Sequence, residues 1–189
     1  MEQPKTLNIL NGEKLPSIFS TEEMENRLLR LRSHMDHRGI EAVLFTSFHN
    51  INYFDHFLYT AFGRNYGLVL TPERRCSITA NIDGGHPWRR GFGDNLVYTD
   101  WQRDNFFTAL KELLSGVKAV GIEYDHLSMQ NLEKLKNVLP TTEFVDISEA
   151  LMCQRMIKSA EEIKLIRNGA RIADIGGAAC GEALEENIP

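Results

Sequence analysis

Apolar residues recur at steps of four, three and four through Met24, Leu28, Leu31 and Met35, the spacing of one face of an α-helix. Ser20, three residues ahead of Glu23, has the capping-box spacing that opens such a helix, and Gly39 is the residue type that closes one. Residues 40–46 then carry the run Ala42-Val43-Leu44-Phe45, short and apolar enough for a buried strand. Residues 47–64 mix polar and aromatic side chains with no clean period, which predicts an irregular connection containing a short helix.

Two strand-like runs follow, residues 66–70 and 76–80, joined through Thr71-Pro72-Glu73-Arg74, which supplies the turn chemistry of a hairpin. Residues 83–90 read as a loop too rich in glycine and proline for regular structure, and residues 96–98 resume as a strand. The pattern next predicts a helix over 104–114 with Phe107, Leu110 and Leu114 inward, a strand over 119–122, and a helix over 128–138 with Leu132, Leu135 and Leu139 in phase. A strand over 143–146 and a helix-like stretch over 147–155 complete the alternation. Strands separated by helices imply parallel pairing, and the hairpin adds an antiparallel element, so the expected fold is α/β, a mixed sheet of about six strands with helices on both faces. The polar lead-in ending near Pro16 is expected to be extended.

Near Met156 the pattern changes. Ser159 and Glu162 repeat the capping-box spacing, and Ile163, Ile166, Ala170, Ala173 and Gly177 keep one apolar face at helical spacing almost to Glu186. A long amphipathic helix buries its stripe against something. The expected division is an α/β domain over 1–157, then a linker and the first helix of a further domain over 158–189. The other readings are that this helix folds back on the first domain or pairs with a second copy.

The 189 residues, 42% hydrophobic and 25% charged, lie in the ordinary globular range. A net charge of −5 with no basic stripe argues against nucleic acid as a partner. No apolar run approaches the roughly 20 residues of a membrane span, and Met1-Glu2-Gln3-Pro4-Lys5 lacks a signal-peptide core, so a soluble cytoplasmic protein without a membrane partner is expected. Cys76, Cys153 and Cys180 are too scattered for a disulfide framework or a zinc knuckle.

No complete catalytic motif is present. G-x-x-x-x-G-K-S/T and H-E-x-x-H are both missing, and Gly176-Gly177-Ala178-Ala179-Cys180-Gly181 lies inside the last helix, where glycines serve close packing. His34 and His37 sit three apart on the first helix, a spacing able to hold a metal, but no third ligand accompanies them. The segment Phe62-Gly63-Arg64-Asn65-Tyr66 has two readings. Arg64 offers a planar cation to a ligand carboxylate while Phe62 covers an apolar part of that ligand, or Phe62 is core and Arg64 pairs with a surface acid. Trp88-Arg89-Arg90 with Trp101-Gln102-Arg103-Asp104 is equally two-sided, an interface or loop packing.

Six stretches carry a resemblance over nearly the whole chain: Thr46-Ser47-Phe48-His49-Asn50-Ile51-Asn52-Tyr53, Phe62-Gly63-Arg64, Ala80-Asn81-Ile82-Asp83-Gly84-Gly85, Pro87-Trp88-Arg89-Arg90, Tyr98-Thr99-Asp100-Trp101-Gln102-Arg103-Asp104-Asn105, and Met156-Ile157-Lys158-Ser159-Ala160-Glu161-Glu162. In these the chain resembles the creatinases of the creatinase/prolidase, or pita-bread, family. The last stretch is shared with Xaa-Pro peptidases of that family. The resemblance implies a ribonuclease H-like N-terminal domain and a homodimeric enzyme that hydrolyses creatine to sarcosine and urea without metal or other cofactor. It further implies that the catalytic residues lie in a C-terminal domain outside these 189 residues. The N-terminal domain would contribute dimer contacts and reach the partner's active site, with Phe62 and Arg64 as substrate-binding residues and the arginine holding the substrate carboxylate. The alternatives are the N-terminal domain of a metal-dependent Xaa-Pro peptidase, or a non-catalytic dimerisation module.

Overall fold

The computed structural model describes residues 3–57 and 63–184, with the side chain of Trp101 left undescribed. In chain order the elements are β1 (Thr6–Leu7), α1 (Thr21–Arg38), β2 (Ala42–Phe45), α2 (Phe48–Asp55), β3 (Gly67–Leu70), β4 (Arg75–Ala80), a 3₁₀ turn (Asn81–Asp83), α3 (His86–Arg90) and β5 (Asp94–Tyr98). A second 3₁₀ turn (Trp101–Arg103) leads to α4 (Asn105–Leu114), β6 (Ala119–Ile122), α5 (Met129–Val138), β7 (Glu143–Asp146), α6 (Ser148–Met156) and α7 (Ala160–Ala183).

The strands form one mixed sheet in the order β1-β5-β4-β3-β2-β6-β7, seven strands among the described residues. β2–β3, β3–β4 and β1–β5 are antiparallel, while β2–β6, β4–β5 and β6–β7 are parallel. Strand alternation divides the core between the two faces. Ala42 and Leu44 point to one side, where Ile78, Leu96 and Tyr98 meet Phe106 and Leu110 of α4 and Leu135 of α5. Val43 and Phe45 point to the other, against Leu28, Leu31 and Met35 of α1, Ile51 and Phe54 of α2, and Leu151 of α6.

The predicted caps form. Ser20 Oγ accepts from Glu23 N at 3.1 Å, Gly39 closes α1 in the left-handed region, and the 71–74 turn is held by a Thr71 N to Arg74 O bond of 2.8 Å. Within the extended lead-in, Thr6 and Leu7 pair with Tyr98 and Val97 as an edge strand. A two-residue strand has no period to detect; only the exposed edge of β5 creates it. One expectation needs correction: residues 83–90 are not wholly irregular, since Asn81–Asp83 and His86–Arg90 are helical. Gly85, at φ 86°, stands at the N-cap and Pro87 lies in the first turn, the positions where those residues open a helix instead of breaking it.

One buried acid makes the first unit sensitive to pH. Asp55, at the end of α2, is fully buried, and its Oδ1 accepts from Gly93 N at 2.8 Å. Burial pushes its carboxyl up to about 6, against the opposing pull of the Gly93 amide and the charges of Arg75 and Lys14. The folded value lies above the ordinary 3.8, so between those two pH values the folded protein keeps a proton that the unfolded chain releases. That contribution to stability fades as pH rises through 6, beyond which the buried charge is a constant cost. Asp55→Asn keeps the acceptor for Gly93. It is expected to raise the unfolding free energy at pH 8 by up to about 3 kcal/mol and to change nothing below pH 4. Urea titrations at both pH values check this; a variant less stable than its parent at pH 8 contradicts it.

The chain divides into two compact units, Met1–Gln154 and Arg155–Pro189. The second, described by itself, is essentially α7. Ser159 Oγ accepts from Glu162 N at 3.2 Å and the Glu162 carboxylate accepts from Ser159 N at 2.9 Å, completing the predicted capping box. A single helix has no interior, and Ile166, Ile172 and Ile175 are exposed. No helix among the described residues is long and apolar enough to cross a membrane.

Candidate functional site

Arg64 stands just ahead of β3, half-buried, at the end of the sheet where β4 and β5 finish. Gly63 before it has φ 71°, in the left-handed region that a side chain disfavours, so the chain turns into Arg64 at the one residue type free to do so. Strand register then determines what surrounds it. Gly67 pairs with Ile78 in the antiparallel β3–β4 ladder, which puts Asn65 level with Ala80, and Ala80 pairs with Tyr98 in the parallel β4–β5 ladder. Three segments distant in sequence thus share one row at the sheet end. The Tyr98 hydroxyl donates to Asn65 O at 2.9 Å, and Asn131 Nδ2, from the first turn of α5, donates to Asn65 Oδ1 at 3.2 Å. The Tyr66 hydroxyl donates to Asp83 Oδ2, brought there by the 3₁₀ turn after β4.

Both phenols are held well above the ordinary tyrosine range. For Tyr66 burial is the leading cause, followed by the bond to Asp83 and the charge of Asp83; for Tyr98 it is again burial, with Asp83 adding to it. The Arg64 guanidinium is close enough to act on both in the opposite sense. Both hydroxyls therefore remain protonated donors at neutral pH, and the Asp83 carboxylate is engaged by one of them. None of the ion pairs among the described residues uses Arg64. The reading in which Arg64 is consumed by a surface acid finds no such acid among the described residues. What the arrangement offers is one permanent, half-buried, planar cation whose fork matches a carboxylate, beside two hydroxyls whose protons are given to Asn65 O and to the Asp83 carboxylate. Phe62, named with Arg64 from the sequence, lies outside the described residues.

Other predicted or charged groups do not join this site. The Trp88 ring lies under the Lys14 ammonium, 4.0 Å from Nζ to the ring centre, and Arg89 O accepts from Leu15 N at 2.7 Å, so residues 88–90 pack the N-terminal segment. Arg103 pairs with Asp100 at 3.3 Å and Asp104 with Lys134 at 2.7 Å. A cleft of about 490 Å³ is lined by Lys14, Arg74, Arg75, Glu25 and Asp94 among others, but its cations are engaged by its own acids and backbone carbonyls. Arg75 bonds Glu25 at 3.1 Å, Arg74 bonds Asp94 at 3.3 Å, and Lys14 Nζ donates to the carbonyls of Trp88, Gly91 and Gly93. Among the described residues no group of three or more His, Cys, Asp or Glu has metal-site geometry, and His34 and His37 gain no third ligand.

Sequence reasoning missed Glu123. It is buried at the end of β6 and accepts from Thr46 N at 2.6 Å, Ser47 N at 2.9 Å and Asn50 Nδ2 at 2.6 Å, fastening the start of α2 to the parallel β2–β6 pair. Its only signal was a single acid directly after an apolar run, which many exposed strand ends share.

Comparison with known proteins decides the family. Residues 27–157 match the Creatinase/Prolidase N-terminal domain. The chain belongs to the creatinase/prolidase family. Within that family it is 53% identical over 182 residues to a creatinase of Bacillus sp. (strain B-0618), across 94% of this chain and 44% of that protein. It is 26% identical to the Xaa-Pro dipeptidase of Pyrococcus horikoshii, across 86% of this chain and 44% of that one. The prolidase structure from Pyrococcus horikoshii superimposes with a TM-score of 0.69 at 25% identity, covering 85% of this chain and 44% of that chain. The chain spans less than half the length of these creatinase/prolidase relatives.

Proposed function

We propose that this chain is the N-terminal part of a creatinase, which hydrolyses creatine to sarcosine and urea. The observation that carries the reading is the contrast in identity: 53% to a creatinase against 26% to a dipeptidase of the same family, over nearly the same stretch. In this reading residues 1–157 form the N-terminal domain, residues 158–189 lead into the catalytic domain, and the acid-base groups come from that domain. The N-terminal domain supplies dimer contacts and, through Phe62 and Arg64, the grip on the substrate carboxylate in the partner's active site. Arg64, half-buried beside Tyr66 and Tyr98 and engaged by no acid among the described residues, is suited to that role.

Creatine makes the division of labour physically sensible. Its guanidinium carbon must be presented to attack, and its carboxylate is a remote handle that fixes orientation without entering the chemistry. Binding groups without an acid or base do not lower the chemical barrier enough for turnover. Residues 1–189 on their own are therefore expected to release no urea.

The deciding experiment measures sarcosine and urea from creatine with the full-length parent enzyme, with and without a strong chelator. Release in both conditions is the expected result. Failure on creatine, together with metal-restored cleavage of an Xaa-Pro dipeptide, would move the chain to the peptidase branch, that of the Pyrococcus horikoshii prolidase.

A further inference from the structure

Among the described residues, the two that follow Arg64 are tied down, while no ion pair uses Arg64 itself. Asn65 is held at two separate atoms. Its carbonyl takes the Tyr98 hydroxyl at 2.9 Å and its side-chain oxygen takes the Asn131 amide at 3.2 Å, so Asn65, the residue after Arg64, is fixed both to the sheet and to α5. Tyr66 is fixed to Asp83 through its hydroxyl. Gly63 supplies the left-handed turn on the other side. These anchors converge from β5, α5 and the turn after β4, elements that the strand register and the packing of α5 bring to this end of the sheet.

We propose that Tyr98 and Asn131 are positioning residues for Arg64: together they clamp Asn65 and thereby hold the neighbouring guanidinium in the orientation that receives the substrate carboxylate. The proposal rests on the creatinase reading of the site, and it extends that reading to two residues that would not touch substrate. The physical basis is preorganisation. A bidentate Arg–carboxylate pair requires the fork to be aimed within narrow limits, and a long flexible side chain on an unanchored loop would lose that aim to conformational entropy at each binding event. The clamp removes part of that freedom before substrate arrives. The two bonds differ in kind: one grips the backbone from the sheet, the other the side chain from a helix, so each limits a motion the other leaves open.

The substitutions that test this are mild. Tyr98→Phe removes only the hydroxyl and keeps the ring against Phe106, whose centre lies 5.7 Å away in an edge-to-face contact. Asn131→Ala acts at a half-buried helix start, whose cap at Ser128 Oγ uses the Asn131 backbone amide and survives the change. In the full-length enzyme each is expected to raise KM for creatine about fivefold, the loss of one neutral hydrogen bond, with kcat nearly unchanged. The decisive comparison repeats both in an Arg64→Ala background, where they are expected to have no further effect on KM, because there is no guanidinium left to aim. A residue with only a general structural role would not lose its effect in that background.

If Arg64→Ala raises KM but neither clamp variant does, the clamp is refuted while the site reading stands. Full additivity with Arg64→Ala refutes it equally. If Arg64→Ala itself leaves KM for creatine unchanged, the site reading fails first and takes the clamp with it. Should Tyr98→Phe unfold, Asn131→Ala carries the same comparison by itself.

Discussion

Glu123→Ala is expected to lower the unfolding free energy of the N-terminal unit by about 3–5 kcal/mol, the range for removing one side of a buried, charge-assisted cluster. The buried carboxylate accepts three hydrogen bonds, two from the backbone amides of the half-buried Thr46 and the buried Ser47 and one from the buried Asn50 Nδ2. Alanine strands all three donors. It also frees the first turn of α2, whose Phe54 stacks on Phe45 with ring centres 4.7 Å apart, so the damage extends into the core. Glu123→Gln supplies the internal control. Asn50 Oδ1 is buried without a partner, so a flip of the Asn50 amide lets glutamine donate to that oxygen while its own oxygen still faces the two backbone amides. The glutamine variant is therefore expected to lose only about 1 kcal/mol. Urea titrations of both variants at one pH are the measurement. Equal losses, or an alanine loss under about 1 kcal/mol, would show that α2 is fastened by something else.

Arg64→Ala in the full-length enzyme is expected to lower kcat/KM for creatine by about one to two powers of ten, carried mainly by KM, the effect of one charge-assisted contact. In the proposed reading the contact lies at the substrate's handle and not at its reacting carbon, so it would stabilise ground state and transition state alike, and KM would take the change. Arg64→Lys keeps the charge and loses the fork, and is expected to fall between the two. A creatine analogue with a neutral carboxamide in place of the carboxylate separates this from general disturbance of the site. Wild type and Arg64→Ala should handle that analogue almost equally. A loss as large on the carboxamide as on creatine would mean that Arg64 does not read the carboxylate.

Arg64 and the Glu123 cluster differ in how far the sequence announced them. Arg64 stands out as a candidate because it lies beside a glycine and an aromatic in a segment without periodicity, and because the segment around it resembles creatinases. Glu123 does not, because a lone acid after a strand is ambiguous until Thr46, Ser47 and Asn50 arrive beside it. The same holds for Tyr98 and Asn131. Tyr98 read as the end of a strand and Asn131 as a polar helix position, and nothing local marks either as a partner of Asn65, 33 and 66 residues away.

By itself the sequence determined the elements and their faces. Helical and strand periods are local properties, and they placed α1, α4, α5, α7 and the strands from β2 to β7 close to their observed bounds, with the caps at Ser20, Ser159 and Gly39. It also determined the family, through short strings that survive as strings. Tertiary structure decided the rest. The strand order places β5, β4 and β3 side by side, and only that order turns Thr6–Leu7 into an edge strand and brings Tyr98 level with Asn65. Register is a property of pairs of segments, held by backbone hydrogen bonds that every residue type supplies, so the convergence around Arg64 leaves no local mark in the chain.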